Sequence, residues 1–149
     1  MVLALQGTNA LNVLTDKSAR QWMEAYRKGS TQFAEPKLDW FPNLYEKIES
    51  NQMIMYSDSH PFQPAGTQEQ SVNQLKDLRD IFVHFVPKQL ILDVRSWPHI
   101  VSDITGIIEF LAFESGNITW HEESAEQRVK TLCLLIRQQA HALNKHYGG

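Results

Sequence analysis

Apolar residues recur along most of this sequence at the three- and four-residue spacing of amphipathic helices. The pattern predicts five helices, over residues 3–28, 40–51, 67–85, 96–116 and 124–144. Short connections between long amphipathic helices are typical of an antiparallel bundle. We therefore expect an all-α fold, an antiparallel bundle of four to five helices, in a single domain over residues 1–149. At least about 60% of the chain should be helical, well above the usual share.

Turn-forming residues set the predicted helix ends. Residues 57–66 form a loop rich in Ser, Asp, Pro and Gly, and Pro87 stops the third helix. Ser96 is a predicted N-cap, with Pro98 in the first turn that follows. The apolar run 90–94 is expected to be extended, as a short hairpin or an edge strand.

The apolar faces of the first and last helices bear on packing and assembly. The first helix places these residues at helical spacing: Leu11, Leu14, Ser18, Trp22 and Tyr26. The last helix is predicted to bury Val129, Leu132, Cys133, Ile136, Ala140 and Leu143. The first helix starts at Met1 with apolar residues and no cap, so we expect a neighbour to cover it. A homodimer would supply that neighbour.

Composition excludes several classes. The sequence has no uninterrupted apolar run near the length of a membrane span and no basic leader, so we expect neither a membrane protein nor a signal peptide. One cysteine rules out an internal disulfide and fits a reducing, cytoplasmic location. A net charge of −3 argues against indiscriminate nucleic-acid binding but leaves room for a local basic cleft.

Most residues that could form a metal site or act as a nucleophile have an ordinary structural interpretation. The sequence has no H-E-x-x-H motif and no Gly-rich phosphate loop, so no metal and no cofactor is expected. His121 and the two glutamates after it stand at a helix entrance, where capping is favoured over metal binding. Cys133 falls on the apolar face of the last helix, which favours an inert core thiol over a nucleophile.

The segment 75–88 is the most informative stretch. On a helical wheel, Arg79 and His84 fall on opposite flanks of the apolar face, roughly 140° apart. Asp80 lies between them and one turn before His84, where its carboxylate can orient the imidazole. A phosphate group would fit between the guanidinium and the imidazole. The spacing alone also fits an ordinary exposed arginine and a histidine that stabilises the helix C-terminus.

The run LRDIFVHF, residues 78–85, resembles the R-x4-6-H signature of the HEPN superfamily, including a polar residue directly after the arginine. The resemblance implies a helical dimer whose two motifs face each other, and a metal-independent RNA endonuclease of toxin or defence type. Arg79 and His84 would be the catalytic pair, with Asp80 in support and Lys76 and Lys88 as RNA-phosphate contacts.

The resemblance also implies partners, namely single-stranded RNA, a second copy, and a cognate antitoxin or other partner protein. The alternative is a catalytically inactive HEPN-like dimer that serves as an interaction or nucleotide-binding module.

Overall fold

The computed structural model describes residues 1–6, 10–83 and 94–147. Within these ranges the fold is all-helical, with a helical share of 69% and no β-strand, so the predicted fold class is confirmed. The α-helices are α1 (Val2–Gln6), α2 (Asp16–Arg27), α3 (Phe41–Ile48), α4 (Gln68–Val83), α5 (Trp97–Glu109) and α6 (Glu123–Tyr147). Short 3₁₀ turns occur at Ala10–Val13, Asn51–Met53 and Val94–Ser96.

The chain divides into two compact units. Unit 1 comprises Met1–Phe62 and Leu111–Ile118, and unit 2 comprises Gln63–Phe110 and Thr119–Gly149. A π-helical turn at Phe110–Glu114 follows α5, at the point where the chain passes from unit 2 back to unit 1. The prediction of one domain of HEPN-like architecture over residues 1–149 stays a prediction.

The prediction of one helix over residues 3–28 is wrong. The backbone leaves helical geometry at Leu14, which forms an isolated antiparallel bridge with Leu38. The Thr15 N–H donates to the carbonyl of Lys37 at 3.0 Å, so this strand-like pairing satisfies groups that a continuous helix would have satisfied internally. α2 then starts afresh, because the Thr15 side chain caps it by accepting from the Ser18 N–H at 3.3 Å.

A buried asparagine ties together three segments of unit 1. The Asn117 Nδ2 group donates to the carbonyls of Ala4 and Met53, at 3.0 and 2.7 Å, and its Oδ1 accepts from the Ser59 hydroxyl at 2.5 Å. Apolar side chains from α1, α3 and the returning segment 111–118 pack in the same core. Its buried members include Leu5, Leu44, Tyr45, Ile48, Met53, Phe62 and Leu111. A buried polar group of this kind is stable only with its hydrogen bonds made.

Unit 2 is organised around α5, against which both α4 and α6 pack. Gly106 allows side chains of α4 and α6 to approach α5 closely, since a Cβ at Gly106 would lie 3.1 Å from the Gln68 side chain and 3.4 Å from the Arg137 side chain. Arg137 pairs with Glu109 and so links α6 to α5. Pro98 lies in the first turn of α5 as predicted, but Ser96 makes no capping bond with its side chain.

The predicted buried face of α6 needs a correction. Cys133 and Ala140 are buried, but Leu132, Ile136 and Leu143 are between 40% and 56% exposed. The apolar arc of α6 is wider than the contact with α5, so only one edge of it is covered. The prediction of an extended segment over residues 90–94 falls almost wholly outside the described residues. Across the described ranges, none of the helices combines the length and the apolar character needed to span a membrane.

Candidate functional site

The N-terminal half of α4 is fixed to α5 by hydroxyl groups. The hydroxyls of Thr67 and Ser71 both donate to Oδ2 of Asp103, at 2.8 and 2.5 Å. Val72, one residue after Ser71, is buried. Hydrogen bonds to a charged carboxylate are stronger than neutral ones, so they hold the helix in a defined register on α5. The C-terminal half of α4 is thereby presented in a fixed orientation.

Arg79 and Asp80 stand on that presented half and contact each other. The Arg79 Nη1 group donates to Asp80 Oδ1 at 3.1 Å, with the two side chains 53% and 42% exposed. An arginine carries five N–H donors, so one bond to Asp80 leaves a half-exposed guanidinium able to take a further anion. Lys76 is half-buried one turn earlier, three residues from Arg79, which is neighbour spacing on a helix.

Of the five residues that the sequence indicated, the structure describes Lys76, Arg79 and Asp80 on α4, and it shows a contact between Arg79 and Asp80. His84 and Lys88 lie outside the described residues, and so does the predicted contact between Asp80 and the imidazole. Within the described part of α4, the Asp80 carboxylate orients the guanidinium, a contact that the helical wheel did not predict.

Unit 1 holds a separate polar cleft of about 560 Å³, which the sequence did not indicate. Its lining includes Thr15, Asp16, Trp40 and the ion pair of Asp39 with Lys47. In that pair Lys47 Nζ lies 2.7 Å from Asp39 Oδ2, and the side chains are 12% and 5% exposed. Lys47 also donates to the carbonyl of Leu14 at 2.9 Å, so the pair fixes the chain where the first predicted helix breaks.

Hydrogen bonds surround the buried carboxylate of Asp39. Asn43 Nδ2 and the Trp40 N–H donate to its Oδ1, at 2.8 and 3.0 Å. Burial by itself favours the neutral acid, but the bonds from Lys47, Asn43 and Trp40 and the charge of Lys47 together outweigh it, so the pKa of Asp39 is lowered. Because this carboxylate is bonded by Lys47, Asn43 and Trp40, it is suited to stabilising the local structure.

Cys133 is a core thiol. It is 4% exposed on α6. Burial raises its pKa, the charge of Glu109 raises it further, and Arg137 partly offsets the rise. A thiol with a raised pKa is a poor nucleophile at neutral pH, which agrees with the structural interpretation of this residue.

In the part of the chain that the structure describes, no three His, Cys, Asp or Glu side chains lie close enough together to hold a metal ion. At the entrance of α6, Glu123 and Glu126 lie in the first turn, where carboxylates complement the helix dipole. Comparison with protein-family models, with curated proteins and with solved structures finds no match to this chain.

Proposed function

We propose that this protein is a HEPN-like, metal-independent endonuclease of single-stranded RNA, with Arg79 and His84 as its catalytic pair. The observation that carries the proposal is the half-exposed Arg79 on α4, held by Asp80 at 3.1 Å and placed five residues before His84. The helix bearing it is anchored to α5 through Asp103, so the guanidinium stands on a supported element.

The chemistry follows from the two side chains. The ribose 2′-oxygen attacks the adjacent phosphorus, the P–O5′ bond breaks, and a 2′,3′-cyclic phosphate and a free 5′-hydroxyl result. The imidazole of His84 takes the proton of the 2′-hydroxyl or gives one to the leaving oxygen, for which a group titrating near neutrality is suited. Arg79 stabilises the extra negative charge on the phosphoryl oxygens with its planar fork of donors. Lys76 and Lys88 contact flanking phosphates.

The proposal includes a homodimer in which two copies of the motif close one cleft, and a cognate antitoxin or other partner protein that controls it. A shared cleft requires self-association. Light scattering at high micromolar concentration should therefore report a dimer, and a monomer there contradicts the shared cleft.

Cleavage assays test the activity. Single-stranded RNA should be cut in the presence of EDTA, and His84→Ala should slow cleavage by about 10²- to 10⁴-fold, the usual contribution of a positioned acid–base group. Arg79→Lys should cost about 10²-fold, since an ammonium cannot reproduce two parallel donors.

Two variants of exposed residues elsewhere serve as controls. Arg20→Lys on α2 and His141→Ala on α6 should leave the rate unchanged. Equal loss in the control variants shows that the effect is not specific to the motif and contradicts the proposal. Cleavage that survives in the double variant of Arg79 and His84 indicates a contaminating nuclease. A well-folded protein that cuts no RNA supports the alternative, an inactive HEPN-like module that binds a partner or a nucleotide.

A further inference from the structure

Helix α6 carries an uncovered apolar stripe, defined by Leu132, Leu135, Ile136 and Leu143. Their side chains are between 40% and 56% exposed. At about 100° per residue they occupy a sector roughly 100° wide, directly beside the buried edge at Cys133 and Ala140. Isolated exposed leucines are common in proteins, but a contiguous row of four on one helix is typical of an interaction surface.

Three residues of the stripe, Leu132, Ile136 and Leu143, belong to a longer row that has the spacing of a helix-pairing seam. Small or apolar residues and one glutamine follow alternating steps of four and three residues along α6. The positions are Ala125, Val129, Leu132, Ile136, Gln139 and Leu143. This 4-3 repeat places successive side chains where the knobs of a facing helix can interlock with them. The occupant that matches the stripe is therefore a helix with its own apolar row.

The charge around the stripe defines the partner further. Arg128 lies within the same sector and is exposed. The acidic residues of α6, Glu123 and Glu126, fall outside it, and Glu126 is held by Lys130 at 2.5 Å. Flanking charges set partner choice in paired helices, so a partner with carboxylates beside its apolar row is favoured.

We infer that the stripe on α6 is a docking surface for an acidic amphipathic helix of a partner protein. A second copy of α6 is a poorer match, because the same sector of a second copy brings positive charge and no carboxylate. An anionic membrane is also a poorer match. The leucines are already half covered, and one arginine in the sector adds little attraction to an anionic lipid surface. The inference does not depend on the ribonuclease proposal.

Two synthetic helices of 21 residues test the inference on the whole protein. Both carry leucine at the 4-3 positions, and they differ in having glutamate or lysine at the flanking positions. By fluorescence anisotropy the glutamate peptide should bind at least about tenfold more tightly than the lysine peptide. Arg128→Glu should reduce or reverse that preference. No binding of the glutamate peptide up to about 10⁻⁴ M, or equal binding of both peptides, overturns the inference.

Variants of the stripe locate the contact. The double variant Leu132→Ser with Leu143→Ser should weaken the glutamate peptide by at least about tenfold, because half-exposed leucines are lost from the seam. Leu134→Ser is the matched control, since Leu134 is 59% exposed on the same helix but about 160° from Leu132. Circular dichroism should show that all variants fold. Binding that is unchanged in the double variant overturns the inference.

Two further measurements separate the other occupants. Analytical ultracentrifugation of the chain alone should show no association that the double variant removes. If it does show one, the occupant is a second copy and the inference is wrong. The stripe should not bind lipid, so the protein should not co-sediment with vesicles of phosphatidylserine and phosphatidylcholine. Sedimentation that the double variant abolishes and Leu134→Ser preserves assigns the stripe to lipid instead.

Discussion

Replacement of Asn117 should reveal how strongly unit 1 depends on one buried side chain. Its amide donates to the carbonyls of Ala4 and Met53, and Asn117 is 6% exposed. Asn117→Leu keeps the approximate volume and removes both donors, together with the acceptor of the half-buried Ser59 hydroxyl. Each carbonyl that loses its bond costs about 1–3 kcal/mol, so the two carbonyls alone should lower the free energy of unfolding by about 2–6 kcal/mol. That is a large share of the total stability of about 5–15 kcal/mol of a typical domain.

A second replacement separates lost hydrogen bonds from lost packing. Asn117→Asp keeps the shape but sets a carboxylate against two carbonyl oxygens, so burial and repulsion raise the pKa of the new carboxyl. Each unit of that rise adds about 1.4 kcal/mol to the destabilisation at pH 7. The variant should therefore regain stability as the pH falls from 7 to 5, because the protonated acid donates one bond again.

Urea unfolding followed by circular dichroism measures both effects. The exposed Asn73 on α4 offers the control, since Asn73→Asp and Asn73→Leu should change the free energy of unfolding by no more than about 0.5 kcal/mol. Variants of Asn117 that unfold like the control variants, at both pH values, would refute the role given to this side chain.

Three further predictions follow from single residues. Gly116→Ala should destabilise by more than about 2 kcal/mol, because φ is +74° and a Cβ would lie 2.7 Å from the carbonyl oxygen of Asp58. Gly29→Ala, at φ +65° in open space, should cost only the backbone strain, and equal losses in the two variants would contradict the clash. The lowered pKa of Asp39 contributes stability that is complete above its unfolded value of about 3.9 and is lost as the pH falls further. Acid titration of unfolding should therefore show a smaller loss in Asp39→Asn, and an equal loss would contradict it. Cys133 should react with iodoacetamide at pH 8 at least about tenfold more slowly in the folded protein than in urea, and equal rates would contradict its burial.

The sequence predicts helices well where the 3.6-residue period continues through a whole element. Helix α3 (Phe41–Ile48) is an example, since it lies within the predicted helix over residues 40–51 and buries Leu44, Tyr45 and Ile48 at helical spacing. The predicted start of α4 at Thr67 or Gln68 also agrees with the structure. Local pattern determines these features, so a single sequence is enough to find them.

Non-local pairing explains the missed break in the first predicted helix. Leu14 fits the apolar period of a helix, but its backbone pairs with residues that follow more than twenty positions later. The Thr15–Asp16 step is a local signal for a helix start, and it was present in the sequence. Likewise, the apolar positions of α6 cover a wide sector of the helix, and the sequence does not predict which edge of that sector packs against α5.

In the candidate site, too, the sequence pattern predicts positions on the helix but not the contacts between side chains. The helical wheel predicts exposed positions for Arg79 and Asp80, and both side chains are exposed on α4. The contact between the two depends on side-chain rotamers, which the wheel does not provide. The helical pattern does not pair Asp39 with Lys47, because Asp39 precedes α3 while Lys47 lies within it. The Lys47 ammonium also bonds the carbonyl of Leu14, 33 residues away.

The chemical ends of the cleavage products test the central claim most directly. The account predicts that the protein, with EDTA present, cuts single-stranded RNA to fragments that end in 2′,3′-cyclic phosphate, as read by mass spectrometry. Replacing the single ribose at the cut site by deoxyribose should abolish that cut, and His84→Ala should slow the formation of the cyclic ends by about 10²- to 10⁴-fold. Products with 3′-hydroxyl ends, cleavage that needs a metal ion, or a cut at the deoxyribose site would contradict the assignment of Arg79 and His84.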